Sequence, residues 1–159
     1  MEQKKLARWL KLIVIGIGVC GLFIYGYLIP GYGSVIVDAN PEFGYCYIPW
    51  LVFLSLTAIP CYIALYFAYR IFTNIENDRS FSKDNAKYLK WISWLAAGDA
   101  AYFFIGNVVL LFLNMNHPGI LLYSLIVVFA GVAISVAAAA LSHLVLKAAL
   151  LQEESDLTV

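Results

Sequence analysis

Charge is scarce in this chain: only 13% of its 159 residues are Asp, Glu, Lys or Arg, about half the soluble average. A soluble domain of this length would lack the polar surface to cover itself. Ten basic residues balance ten acidic ones, so no net charge draws the chain toward an acidic substrate, and no direct nucleic-acid binding is expected. Cysteine is as sparse. Cys20, Cys46 and Cys61 form no CxxC pair, which excludes a zinc-ligand motif and a disulfide framework. His117 and His143 are expected on opposite sides of a bilayer, so they cannot share a metal within one subunit. A phosphate-binding glycine loop and a nucleophile elbow are also missing. Gly16-Ile17-Gly18-Val19-Cys20-Gly21 copies the spacing of a dinucleotide fingerprint but sits in an apolar run with no strand before it. The sequence therefore predicts no cofactor and no catalytic residues.

What the chain has instead is apolar length, 63% of its residues. A bilayer core of about 30 Å needs roughly 20 apolar residues in a helix. Stretches near 10–29, 48–72, 91–113 and 120–146 meet that need, with a loop at 73–90 and a short tail at 147–159. Hydrocarbon offers the backbone no partner, so each is expected to be helical, and the absence of alternating patterning excludes a β-barrel. The expected fold is all-α, a single integral membrane four-helix bundle. The run after Lys4, Lys5, Arg8 and Lys11 is too long for a signal-peptide core and lacks a clean cleavage site, so it is read as a retained helix.

The ten Lys and Arg residues lie before the first span, around the middle loop from Arg70 to Lys90, and at Lys147. The other two loops contain none. By the positive-inside rule both termini and the middle loop are expected in the cytoplasm. The first outer connection, Pro30 to Pro49, reads as a capped connector in which Ser34 to Val37 could pair as a strand or dip toward the membrane. Asn114 to Gly119 reads as a tight turn, which makes the third and fourth helices antiparallel neighbours. In the middle loop Ser82 is a good N-cap and Asp84 falls in the first turn, so the third helix is expected to start before it enters lipid. Lys83, Lys87 and Lys90 then share a face that suits headgroup anchoring or a docking partner.

The segment Ser80-Phe81-Ser82-Lys83-Asp84-Asn85-Ala86, followed by Leu89, Ile92, Trp94 and Leu95, resembles the signature of a family of small bacterial four-helix membrane proteins, domain-of-unknown-function family 2975. Ser80 stands where that family often has proline. The closing acidic stretch and Asp156-Leu157-Thr158-Val159 resemble its usual ending. The resemblance implies a bacterial cytoplasmic-membrane protein, often encoded beside a small helix-turn-helix regulator, and hence a membrane partner for such a DNA-binding protein. In that reading Ser82, Lys83, Asp84, Asn85 and Lys87 are the cytoplasmic contact candidates.

Within the spans Asp99 is the one acidic residue. A charge there costs at least a few kcal/mol, so it should face protein, be protonated or find a donor. Folding the last two helices about their turn is expected to bring Asp99 level with Ser135, while steps of four put Asp99 and Asn107 on one polar inner side. Gly131, Ser135, Ala139, His143 and Lys147 form a similar stripe on the last helix, and Gly16 and Cys20 on the first, with Gly18 and Gly21 beside them, suited to close packing or a homodimer. His143 lies about one turn inside Lys147, where water reaches. The leading expectation is a non-enzymatic regulatory or interaction protein. The alternatives are a small oligomeric transporter or channel subunit with Asp99 and Asn107 on its path, and an immunity or stress-protection protein using the outer loop with Asp38 and Glu42.

Overall fold

Two prolines decide how the first half of the chain is built. In the computed structural model, which describes residues 2–158, α1 (Glu2–Phe23) runs through a π turn at Ile24–Leu28 into α2 (Ile29–Ala39). The connector expected from Pro30 onward is therefore largely helix. A proline ring collides with the carbonyl four residues back, here that of Gly26. The π turn removes the conflict: the Ile29 N–H bonds Ile24 O, five residues back, and the widened turn makes room for the ring. A 3₁₀ segment at Pro41–Cys46 then closes the hairpin.

Pro60 acts differently. Having no N–H, it cannot bond Leu56 O, and the second span breaks at Thr57 between α3 (Tyr47–Leu56) and α4 (Ala58–Glu76). Thr57 covers a neighbouring carbonyl at the break. Its N–H and its hydroxyl both donate to Leu54 O, at 3.2 and 2.7 Å, and Tyr25 of the π turn bonds Thr57 Oγ1 at 2.8 Å. Thus α1–α2 and α3–α4 each depart from regular α-helix where Tyr25 meets Thr57, and are tied to each other there.

The third and fourth spans are single helices, α5 (Lys83–Phe112) and α6 (Pro118–Leu157). The N-cap expected at Ser82 is present, its hydroxyl accepting from Asn85 N–H at 3.2 Å. The tail expected beyond residue 146 continues as helix to Leu157, while Val159, the last residue of the closing motif, lies outside the described residues. Asp78 and Asn114 sit at φ 59° and 56°, the left-handed residues that end α4 and α5. Each is followed by a bond back into the helix, Arg79 N–H to Asn74 O at 2.9 Å and Met115 N–H to Leu110 O at 2.8 Å. These are Schellman endings made with polar residues in place of glycine.

The four apolar helical stretches, Glu2–Ala39, Pro41–Glu76, Lys83–Phe112 and Pro118–Leu157, are each long enough to cross a membrane. The four spans of the expected bundle are arranged as an open row. α1 packs on α4, α4 on α5 and α5 on α6, with no comparable interface between α1 and α6 among the described residues. Most apolar side chains of the spans accordingly face outward, Leu22, Phe129 and Trp94 among them, as suits a lipid solvent.

The α5–α6 contact is the most extensive and rests on small residues. Gly131 lies so close to Ala100 that a Cβ would sit 3.0 Å from the alanine's own. Ser135 Oγ donates to Ser93 O at 2.8 Å, and Ser142 Oγ to Ala86 O at 2.6 Å. On α6 the covered positions include Gly131, Ser135, Ala138, Ser142, Val145 and Ala149, at alternating steps of four and three. The expected stripe in steps of four alone drifts off this line, because each such step over-rotates by about 40°. Ala139, His143 and Lys147 are exposed. On α1 the contact is made by Gly18 and Gly21, the glycines beside the expected pair, while Gly16 meets nothing and Cys20 is exposed. Tyr62 Oη donates to Gly18 O at 2.6 Å.

Candidate functional site

The end of the row that carries both termini is held together by side chains from every span. Gln3 donates to Ser80 Oγ at 2.6 Å, Lys4 pairs with Asp78 at 3.2 Å, and Lys83 pairs with Glu153 at 2.8 Å. Arg8 and Lys11 grip the two oxygens of Glu76 at 2.9 and 2.5 Å. Lys11 and Glu76 are partly buried, while the more exposed pairs, Lys4–Asp78 and Lys83–Glu153, contribute about 0–1 kcal/mol each. Together they fix α1 against the loop and the projecting part of α6 against the start of α5.

Beneath the loop lies Asn85, with 1% of its surface exposed. Its Oδ1 accepts from Asn74 Nδ2 at 2.7 Å, and its Nδ2 donates to Arg79 O and Ser80 O at 3.1 and 3.0 Å. One amide therefore joins the end of α4, the loop and the start of α5. Every polar atom of that side chain is engaged, so Asn85 shapes the loop and has nothing left to offer a partner. Ser82 is likewise committed, as the cap. Lys83, Asp84 and Lys87 are exposed.

Phe81 stands on this support with 59% of its surface exposed. It borders a cleft of about 510 Å³ that Gln3, Lys83, Asp84, Gln152 and Glu153 also line. The far wall is the stretch of α6 past residue 146, which the expectation of a short tail did not foresee. Phe81 is thus an exposed aromatic inside a rim of charged side chains.

The intramembrane candidates do not converge. Asp99 faces α4, where Cys61 Sγ donates to Oδ2 at 3.7 Å. Ser135, expected level with Asp99, meets Ser93 instead, about six residues or roughly 9 Å away along α5. The turn causes the offset. Asn116 already reaches back to Asn107, Nδ2 to Oδ1 at 2.9 Å, so the chain has descended beside α5 before α6 begins at Pro118. Asn107 is buried, donates to Phe103 O at 2.8 Å and serves that clamp, with no bond to Asp99. Trp50 Nε1 holds the same turn through Met115 O at 3.0 Å. His143 points away from α5. The residues that do surround Asp99, namely Cys61, Tyr25 and Tyr102, were not singled out from sequence. The available signal was Pro60, since a proline inside a span frees carbonyls that polar side chains then gather to satisfy.

The architecture can now be set beside known proteins. The family model described as "Protein of unknown function (DUF2975)" matches residues 32–159. The chain belongs to this family. The match spans α2 in part and everything after it, including the Ser80–Ala86 loop on which the sequence resemblance rested. An "Uncharacterized membrane protein YoaS" from Bacillus subtilis (strain 168) is 31% identical over 152 residues, covering 94% of each chain. No solved structure matches. With four spanning helices and a membrane-protein relative over nearly its whole length, this member of DUF2975 is a membrane protein.

Proposed function

We propose that this protein is a non-enzymatic interaction protein of the bacterial cytoplasmic membrane, with its termini-bearing end in the cytoplasm, where it docks a small DNA-binding regulator. The single observation that carries the docking reading is Phe81, exposed beside a cleft of about 510 Å³ on a loop that Asn85 pins from below. An apolar anchor already held in place loses little entropy on binding, so it contributes more than a mobile one. The orientation rests on the collection of all ten basic residues at this end. The choice of a DNA-binding partner rests on what the family resemblance implies.

The test is a crosslinking pull-down from native membranes, comparing the wild-type chain with Phe81→Ala. A cytoplasmic partner should be recovered with the wild type, and truncating the anchor should lower its yield at least about tenfold. Recovery of nothing but the chain itself would sink the docking reading and favour a self-assembling transporter or channel subunit.

A further inference from the structure

Asp99 is left unexplained by the contact surface at the termini. Its position is unusual on three counts. It is set about nine residues, or roughly 13 Å, deeper along α5 than Lys90. Its Oδ1 is buried and has no hydrogen-bond partner among the described residues. Its Oδ2 has only the Cys61 thiol, at 3.7 Å, and a thiol is a weak donor.

The neighbouring groups offer no counter-charge. From α4 the facing titratable group is Cys61; from the first span it is Tyr25, whose hydroxyl is bonded to Thr57; from α5 itself it is Tyr102, whose hydroxyl donates to Phe53 O at 3.2 Å. α6 brings no charged residue to this height; its titratable side chains on either side of that level, Tyr123 and His143, are both exposed. No Lys or Arg of the described residues faces Asp99. An ionised carboxylate here would carry an unmatched charge in hydrocarbon, with one oxygen wholly unsatisfied. A neutral acid fits the same geometry. With its proton on Oδ2 it can donate to Cys61 Sγ, a weak acceptor, and Oδ1 becomes a carbonyl oxygen, which tolerates isolation far better than an anionic one.

We infer that Asp99 is a proton-binding site within the membrane, occupied at neutral pH and placed beside the Thr57 break, where α5 faces α4 and the π turn leans on that break through Tyr25. The site opens sideways toward lipid, since Cys61 is exposed on the row. Cys61 is one turn from Thr57, so the carboxyl, the thiol and the Tyr25–Thr57 bond form a short polar path across three helices. Broken helices with freed backbone groups are the usual places where membrane proteins hold protons and small cations.

The experiment uses the full chain in phosphatidylcholine vesicles and the lipid-soluble reagent dicyclohexylcarbodiimide, which adds to protonated carboxyls in apolar surroundings. Peptide mass spectrometry reads the adduct. Asp99 should be modified at neutral pH, and a water-soluble carbodiimide should leave it untouched. As external pH is raised through the titration, the labelling rate should fall, approaching about tenfold per pH unit once most of the sites are ionised. An unmodified Asp99 in a recovered peptide at neutral pH overturns the inference. So does a rate that does not change with pH. Slowing by sodium at constant pH overturns the proton assignment and makes the occupant a metal cation. A failed search for a cytoplasmic partner would leave this result unaffected, because the two sites are read by separate experiments.

Discussion

Replacing Asn85 with alanine should loosen the 77–82 loop without unfolding the helices. The substitution removes three side-chain hydrogen bonds, to Asn74 Nδ2, Arg79 O and Ser80 O. Each contributes about 1 kcal/mol net, an upper total near 3 kcal/mol. The loop carbonyls lie close to solvent and water can replace part of that, which leaves a loss of about 2–3 kcal/mol. The effect is local, because the α5–α6 seam and the Ser82 cap do not depend on this amide. Limited trypsin digestion of the protein in detergent reads the change directly, since Arg79 and Lys83 flank the loop tip. Where opening is fast compared with cleavage, the rate follows the open population, so cutting at Arg79 should accelerate about 30- to 150-fold while the thermal midpoint of the helices moves little. Acceleration below about threefold, with Arg79 still the cleaved bond, would refute the reasoning and reduce Asn85 to a filler of space.

Gly106→Ala should be strongly destabilising, because a Cβ there would overlap the Phe53 ring, itself held between Phe103 and Tyr102 at 5.7 and 5.3 Å; a loss of about 1–3 kcal/mol would show as a lower thermal midpoint in detergent, and an unchanged midpoint would mean that α3 can slide on α5. Asn114→Gly should be neutral or stabilising by up to about 1 kcal/mol, since the residue sits at φ 56° where glycine carries no steric penalty, whereas Asn114→Val should destabilise. The two variants compared in one melting experiment test the Schellman ending, and equal midpoints would argue against it.

How much of this could be read in the sequence depended on the range of the interaction concerned. Spans follow from composition, and the Ser82 cap follows from a contact within three residues, so both were legible. The course of the chain after Pro30 was not, because a proline signals a conflict without saying whether a π turn or a break will resolve it. Pro30 takes the first route and Pro60 the second, with Thr57 and Tyr25 bonded to each other at the break. Seam register was also hidden. Counting outward from the middle of a turn assumes that the turn adds no descent of its own, and the Asn116–Asn107 clamp violates that assumption. Among the site residues, the identity of Asn85 within the loop motif was visible, but its burial depends on Asn74 in the preceding helix, a distance that periodicity does not reach.

The open row makes the first span the adjustable member of the fold. It meets one neighbouring span, through Gly18 and Gly21 under Tyr62, through Tyr25 at the break and through the charged grip on Glu76. Sequence drift along the rest of its circumference meets only lipid. The family model begins at residue 32, past α1 altogether, and in an open row the leading helix is the span whose alteration disturbs the fewest protein contacts.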